Sequence, residues 1–212
     1  MYRHPALTIC AALCLCCCSP ADPGDLTSDE KALIHRSVSG LEADIPEGTM
    51  RVLTVRDSSD LEILRSKSSD LSIDALLSSD YDDLSRLMVA TVTHPTQDGV
   101  GIAGPQVGLN RRVVAVQRFD KEGEPFEVYP NISIIWASDS LAAGPEGCLS
   151  VPDRRGNVLR STQIVIEYAD MASLSKGCKE IPMVRDTVSG FTAVIFQHET
   201  DHLDGVLYID RL

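Results

Sequence analysis

Phe196-Gln197-His198-Glu199-Thr200-Asp201-His202, near the end of the chain, places two histidines four residues apart with a glutamate directly after the first. On an α-helix, positions i and i+4 share a face with Cβ atoms about 6 Å apart, so two imidazoles there can close on one metal ion. Glu199 is turned away by roughly 100°. It flanks such an ion and could handle the proton of a water the ion holds. The flanks suit a helix: Gly190 can open the turn, Phe191 to Phe196 is largely apolar, and Gly205 can end it. The alternative is a chance pattern on a buried helix.

A catalytic site of this kind takes three protein ligands. The arrangement HExxHxxGxxH finds its third ligand downstream. This chain follows it as far as Gly205, but position 208 is Tyr208, so the third ligand must come from upstream. Cys148 and Cys178 are the only cysteines outside the first eighteen residues. They could pair as a disulfide in an exported protein. In a metal protein Cys148 is the obvious third ligand, a soft donor suited to zinc or ferrous iron.

Working outward, 212 residues suit one domain of ordinary size, and 43% apolar residues allow a real core. A net charge of −12 disfavours a nucleic-acid surface. Residues 1–18 read as a leader: Ala6 to Cys18 is an uncharged run, apolar but for Thr8, holding five of the seven cysteines. A spanning helix needs about 20 residues, so this run suits a secretory signal. Leu15-Cys16-Cys17-Cys18-Ser19 looks like a loose bacterial lipobox. The expectation is an exported chain, lipid-anchored to the membrane through a leader cysteine, Cys18 first. The alternatives are a mis-called start, giving a cytoplasmic protein, or a cysteine-rich metal-binding tail. Residues 19–49 read as a linker with a short helix, since Thr27 to Glu30 has capping-box spacing and Gly40 can stop it.

Within residues 50–212, Arg51 to Val55 reads as a first strand. Ile73 to Val92 reads as a helix with Leu77, Tyr81, Leu84, Leu87, Met88 and Thr91 on one stripe, ended by Pro95. Gly99 to Gly104 satisfies GxGxxG. A dinucleotide loop must follow a strand and open a helix, whereas this one follows a helix and leads to a strand at Val113 to Gln117. It reads instead as exposed backbone, beside which the Gln106 amide can donate to a ligand oxygen. Further strands are expected in Phe126 to Trp136, interrupted at Pro130-Asn131, and at Ile164 to Tyr168, Met183 to Arg185 and Val206 to Ile209. Glu146 to Pro152 reads as a loop.

Three segments in order, Gly99 to Gln106, Glu146-Gly147-Cys148-Leu149-Ser150 and Gln197 to His202, resemble the GxGxAAxQ, EGCLS and QHExDH motifs of the peptide deformylase family. Ile63-Leu64-Arg65 resembles its early leucine-arginine pair. The resemblance covers about Met50 to Leu212. It implies an α+β fold with the metal helix packed among small, mostly antiparallel sheets. It implies Cys148, His198 and His202 as ligands of one Fe²⁺ or Zn²⁺ ion, and Glu199 as general base and then acid. It implies an oxyanion hole of Gln106 and the Leu149 N–H, with Gly101 on the peptide backbone and Val100 and Arg155 near the methionine side chain. The implied reaction removes formyl from N-formylmethionyl peptides. Departures are Gly104 in place of the second alanine, Pro130-Asn131 as a reversed pair, the short C-terminus and the leader. The competing classes are an HExxH metalloprotease, an exported metal-binding lipoprotein, and a related hydrolase acting on another substrate.

Overall fold

A computed structural model describes residues 22–41 and 45–212 of the chain. The leader and its cysteines lie outside the described residues. Five helices and eight strands form in the described part: α1 (Ser28–Val38), α2 (Ser58–Leu64), α3 (Ile73–Leu76), α4 (Ser79–Thr93), β1 (Gly101–Ala103), β2 (Val113–Gln117), β3 (Phe126–Pro130), β4 (Ser133–Ala137), β5 (Leu141–Cys148), β6 (Val151–Ser161), β7 (Gln163–Ala169), β8 (Met183–Ser189) and α5 (Gly190–Leu203). The strands make three small sheets, ordered β1-β2-β3, β4-β7-β8 and β5-β6, and every neighbouring pair is antiparallel. The α+β expectation holds.

The sheet β1-β2-β3 sits between two helices, which explains the apolar run Val113 to Val116 in its central strand. Successive side chains of a strand point to opposite faces. Val113 and Ala115 therefore join the core around α4, while Val114 and Val116 join the core around α5. Phe196 of α5 meets Tyr129 of β3 edge-on, with ring centroids 4.9 Å apart. Packing on this sheet thus sets which face of α5 is left for chemistry.

Local signals explain most helix ends. Thr27 and Glu30 exchange both bonds of a capping box. Gly205, at φ 73°, closes α5: its N–H donates to the His202 carbonyl and the Val206 N–H to that of Asp201, satisfying the last carbonyls of the helix.

Four expectations are corrected. The helix expected over 73–92 is two helices, because the Ser72 and Ser78 hydroxyls each accept a backbone N–H and cap separate N-termini. Arg51 to Val55 is not a ladder strand: Leu53 donates to the Gln106 carbonyl and Val55 to that of Ser150, two different segments. Glu146 to Pro152 is not a loop; it is the closed end of the β5-β6 hairpin, with only Leu149 and Ser150 between the strands. Val206 to Ile209 is not a strand, since a short 3₁₀ turn runs from Tyr208 to Arg211. The Asp210 carboxylate accepts the Leu207 N–H at 2.9 Å and pairs with Arg65, which bends the chain there.

Candidate metal centre

Three elements converge at the centre. α5 supplies His198 and His202 one turn apart, with ring centroids 5.1 Å apart. β5 delivers Cys148 as its last residue. One ligand atom from each of the three lies within 4.8 Å of the others, and the Cys148 Sγ is 3.2 Å from His202 Nε2. Cys148 and Cys178 are both free thiols, so the disulfide alternative does not hold. A thiol and two imidazoles form a donor set suited to a borderline-soft divalent ion. Buried polar atoms without a partner at this spot include Glu199 Oε2 and His202 Nδ1. The residues present therefore fit such an ion.

The three donors are held from behind. His198 Nδ1 bonds the Glu146 carboxylate at 2.8 Å, which leaves Nε2 as the ring nitrogen available to an ion. Arg160 grips both oxygens of Glu146 at 2.8 and 3.0 Å and reaches Asp201 at 2.6 Å. Arg211 holds Asp201 from the far side. Burial pushes the Glu146 carboxyl up, but bonds from His198 and Arg160 outweigh it and bring the pKa down to about 2. His198 is pulled down by burial and raised more strongly, to about 10, by Cys148 and Glu146. Burial holds His202 well below its ordinary value. Glu199 is 4% exposed, and burial, partly opposed by His198, pushes it up to about 7. Glu146 and Asp201 lay within recognised motifs but had no assigned role. Arg160 had no local signal. It meets Glu146 because Gly156 stands opposite Glu146 across the hairpin, and Arg160, four residues on, shares its face.

The other expected residues gather at the same place. A cleft of about 790 Å³ is lined by Val100, Gly101, Gln106, Leu149, Arg155 and Glu199 as well as by ligands. Gln106 is fully buried on a 3₁₀ turn, Gly104–Val107, rather than on a helix. Its Oε1 accepts the Ala103 N–H at 2.8 Å. That bond turns Nε2 toward Ser150 Oγ at 3.2 Å and Cys148 Sγ at 3.5 Å. Gly101 lies directly under Glu199: a Cβ there would stand 2.9 Å from Glu199 Cδ and closer still to Oε1.

A buried carboxylate beside a Cys-His-His donor set, at the floor of an open cleft, defines a metal-dependent hydrolase. The family model for polypeptide deformylase matches residues 50–212. A peptide deformylase of Leptospira biflexa is 37% identical over 157 residues, covering 71% of this chain and 82% of that protein. A peptide deformylase 2 of a Nostoc strain is 40% identical over 145 residues, covering 66% and 73%. The crystal structure of a class I type b peptide deformylase from Acinetobacter baumannii superposes with a TM-score of 0.66 at 33% identity, covering 77% of this chain and 99% of that one. The chain belongs to the polypeptide deformylase family. It is an enzyme that removes the formyl group from N-formylmethionyl peptides with one divalent ion, Fe²⁺ or Zn²⁺.

Proposed function

We propose the following division of labour among the residues of the cleft. Cys148, His198 and His202 hold the ion, and Glu199 moves the proton. Gln106 and the Leu149 N–H donate to the developing oxyanion. Gly101 meets the peptide backbone, and Val100 and Arg155 flank the methionine side chain. The observation that carries this is the convergence of one thiol, two imidazoles and an unpartnered buried carboxylate within one cleft.

When bound, the ion supplies Lewis acidity and makes a water more acidic. The protein's own groups do the rest. Glu199 is buried at the floor of the cleft, where a carboxyl near neutrality can accept a proton and return it to the leaving amine. Gln106 Nε2 is aimed by its bond from Ala103, so its N–H is positioned before the negative oxygen forms. Glu146 fixes the tautomer and ring angle of His198, and Arg160 fixes Glu146. A solved relative from Acinetobacter baumannii holds Met-Ala-Ser, which favours a peptide lying along the same cleft here. The test is a pair of variants on a formyl-Met-Ala-Ser assay. Glu199→Gln should keep the metal and lose turnover by about 10²-fold or more, whereas Cys148→Ala should lose the metal. The reverse pattern would overturn the roles.

We also propose that the chain is exported and lipid-anchored through Cys18. The support is the short apolar run from Ala6 to Cys18 and the lipobox-like residues around it. Among the described residues no helix is long and apolar enough to cross a membrane. Expression of the intact chain in a bacterium, membrane separation and weighing of the mature protein test this. Membrane protein carrying acyl mass on Cys18 is expected; unanchored protein, or membrane protein without that mass, refutes it.

A further inference from the structure

The segment preceding the family match is docked on the domain. Leu26 and Ile34 are buried in the same core as Leu84 and Met88 of α4. Lys31 and His35 both face Asp80, and the Ser72 N–H donates to the Gly24 carbonyl at 2.9 Å. The main fastening is Arg111, whose side chain is 6% exposed. Its Nε and Nη2 hold the two Glu30 oxygens at 2.7 and 2.8 Å. Nη1 reaches the Pro23 carbonyl at 3.0 Å and Ser69 Oγ at 3.1 Å, and Nη2 the Asp25 carbonyl at 2.6 Å. A guanidinium this buried is costly to leave without partners.

Arg111 ends a compact turn that begins at Gly104. The Leu109 N–H donates to the Gly104 carbonyl at 3.0 Å, and the Arg111 N–H to that of Leu109 at 2.7 Å. The fit is close enough that a Cβ on Gly104 would lie 2.6 Å from the Arg111 carbonyl oxygen. Leu33 of α1 rests on Gly108 in the same turn, 3.3 Å from where a Cβ would stand. Gln106 lies in the same turn, two residues before Gly108, its amide beside Cys148 and Ser150. One side of the turn is thus fastened to α1, and the other presents the amide to the centre.

We propose that residues 22–41 are a positioning element for the reaction, holding through Glu30–Arg111 and Leu33–Gly108 the turn that carries Gln106. This rests on the role given to Gln106 above. The segment touches neither metal ligand nor substrate; it acts on the placement of one amide. A group displaced by about 1 Å can cost 10²-fold in rate, so a partial loosening of the turn should cost about tenfold.

The test is a double-mutant cycle in the full-length, metal-loaded enzyme, assayed well below its unfolding temperature. Glu30→Gln and Leu33→Ala, each made separately, should lower kcat about tenfold, with KM and metal content unchanged. In a Gln106→Leu background the same two changes should cause no further loss, because the group they position is gone. Should Glu30→Gln fail to fold, Leu33→Ala carries the cycle alone. Wild-type kcat in a folded Glu30→Gln or Leu33→Ala enzyme overturns the proposal while leaving Gln106 in its role. Losses that multiply in the Gln106→Leu background overturn it as well. If Gln106→Leu itself keeps wild-type kcat, the oxyanion role falls first and the proposal with it.

Discussion

Gly101→Ala should disable catalysis while leaving metal and fold in place. The backbone at Gly101 is ordinary β1 strand, paired with Val116, so alanine brings no conformational penalty of its own. The added methyl is the whole perturbation. It would stand 2.8 Å from Ile195 Cγ2 and 2.9 Å from Glu199 Cδ, against the 3.4 Å at which ordinary contact begins, and nearer still to Oε1. Ile195 belongs to α5, which is pinned on the sheet behind it, so the Glu199 carboxylate must yield by about 0.5 to 1 Å. A misplacement of about 1 Å can cost 10²-fold, equivalent to about 2.7 kcal/mol of barrier. The assay is formate release from formyl-Met-Ala-Ser, with metal content and thermal unfolding measured on the same samples. Gly144→Ala, where a Cβ meets nothing within 4 Å, is the matched control and should behave as wild type. A Gly101→Ala enzyme within a few-fold of wild-type kcat would refute the contact between Gly101 and Glu199 as a determinant of the rate.

Removal of the metal by chelation should abolish formate release, and Fe²⁺ or Zn²⁺ should restore it; activity that survives in metal-free protein contradicts the Cys-His-His centre. Thiol titration of the metal-free, leaderless domain under denaturant should count Cys148 and Cys178 as free, and a pair that opens only with reductant would be inconsistent with the structure. Acid should unfasten α1. Burial raises Glu30, but bonds from Arg111 and Thr27 outweigh it and hold its carboxyl below the ordinary 4.5. Its contribution is therefore complete above that value and is lost as pH falls through the lower folded value. The urea midpoints of wild type and Glu30→Gln should differ at pH 7 and converge in acid; a gap that stays constant with pH would count against the Glu30–Arg111 pair.

The chemistry of α5 was legible because it is local. His198 and His202 share a face through helical spacing alone, and Gly190 and Gly205 mark the ends of that helix by their own backbone freedom. The motif around Cys148 was equally clear as a string of residues, although its place at the tip of a hairpin was not. Nor was the break at Ser78, where a capping hydroxyl competes with a continuous apolar stripe. Val206 to Ile209 shows the opposite failure: its residues favour a strand, but the pull of Arg65 on Asp210 makes a turn.

What the sequence by itself determined about this protein is its family and the cysteine, histidines and glutamate that the structure brings to one cleft. Each depends on residue types at fixed short spacings, which the chain's own geometry turns into proximity. What only the tertiary structure decided is how those groups are held. Arg160 supports His198 through Glu146 because of hairpin register, Gly101 supports Glu199 because a sheet meets a helix, and Glu30 reaches Arg111 across 81 residues. Such partners are chosen by which surfaces pack together, and no periodicity within either segment records that choice.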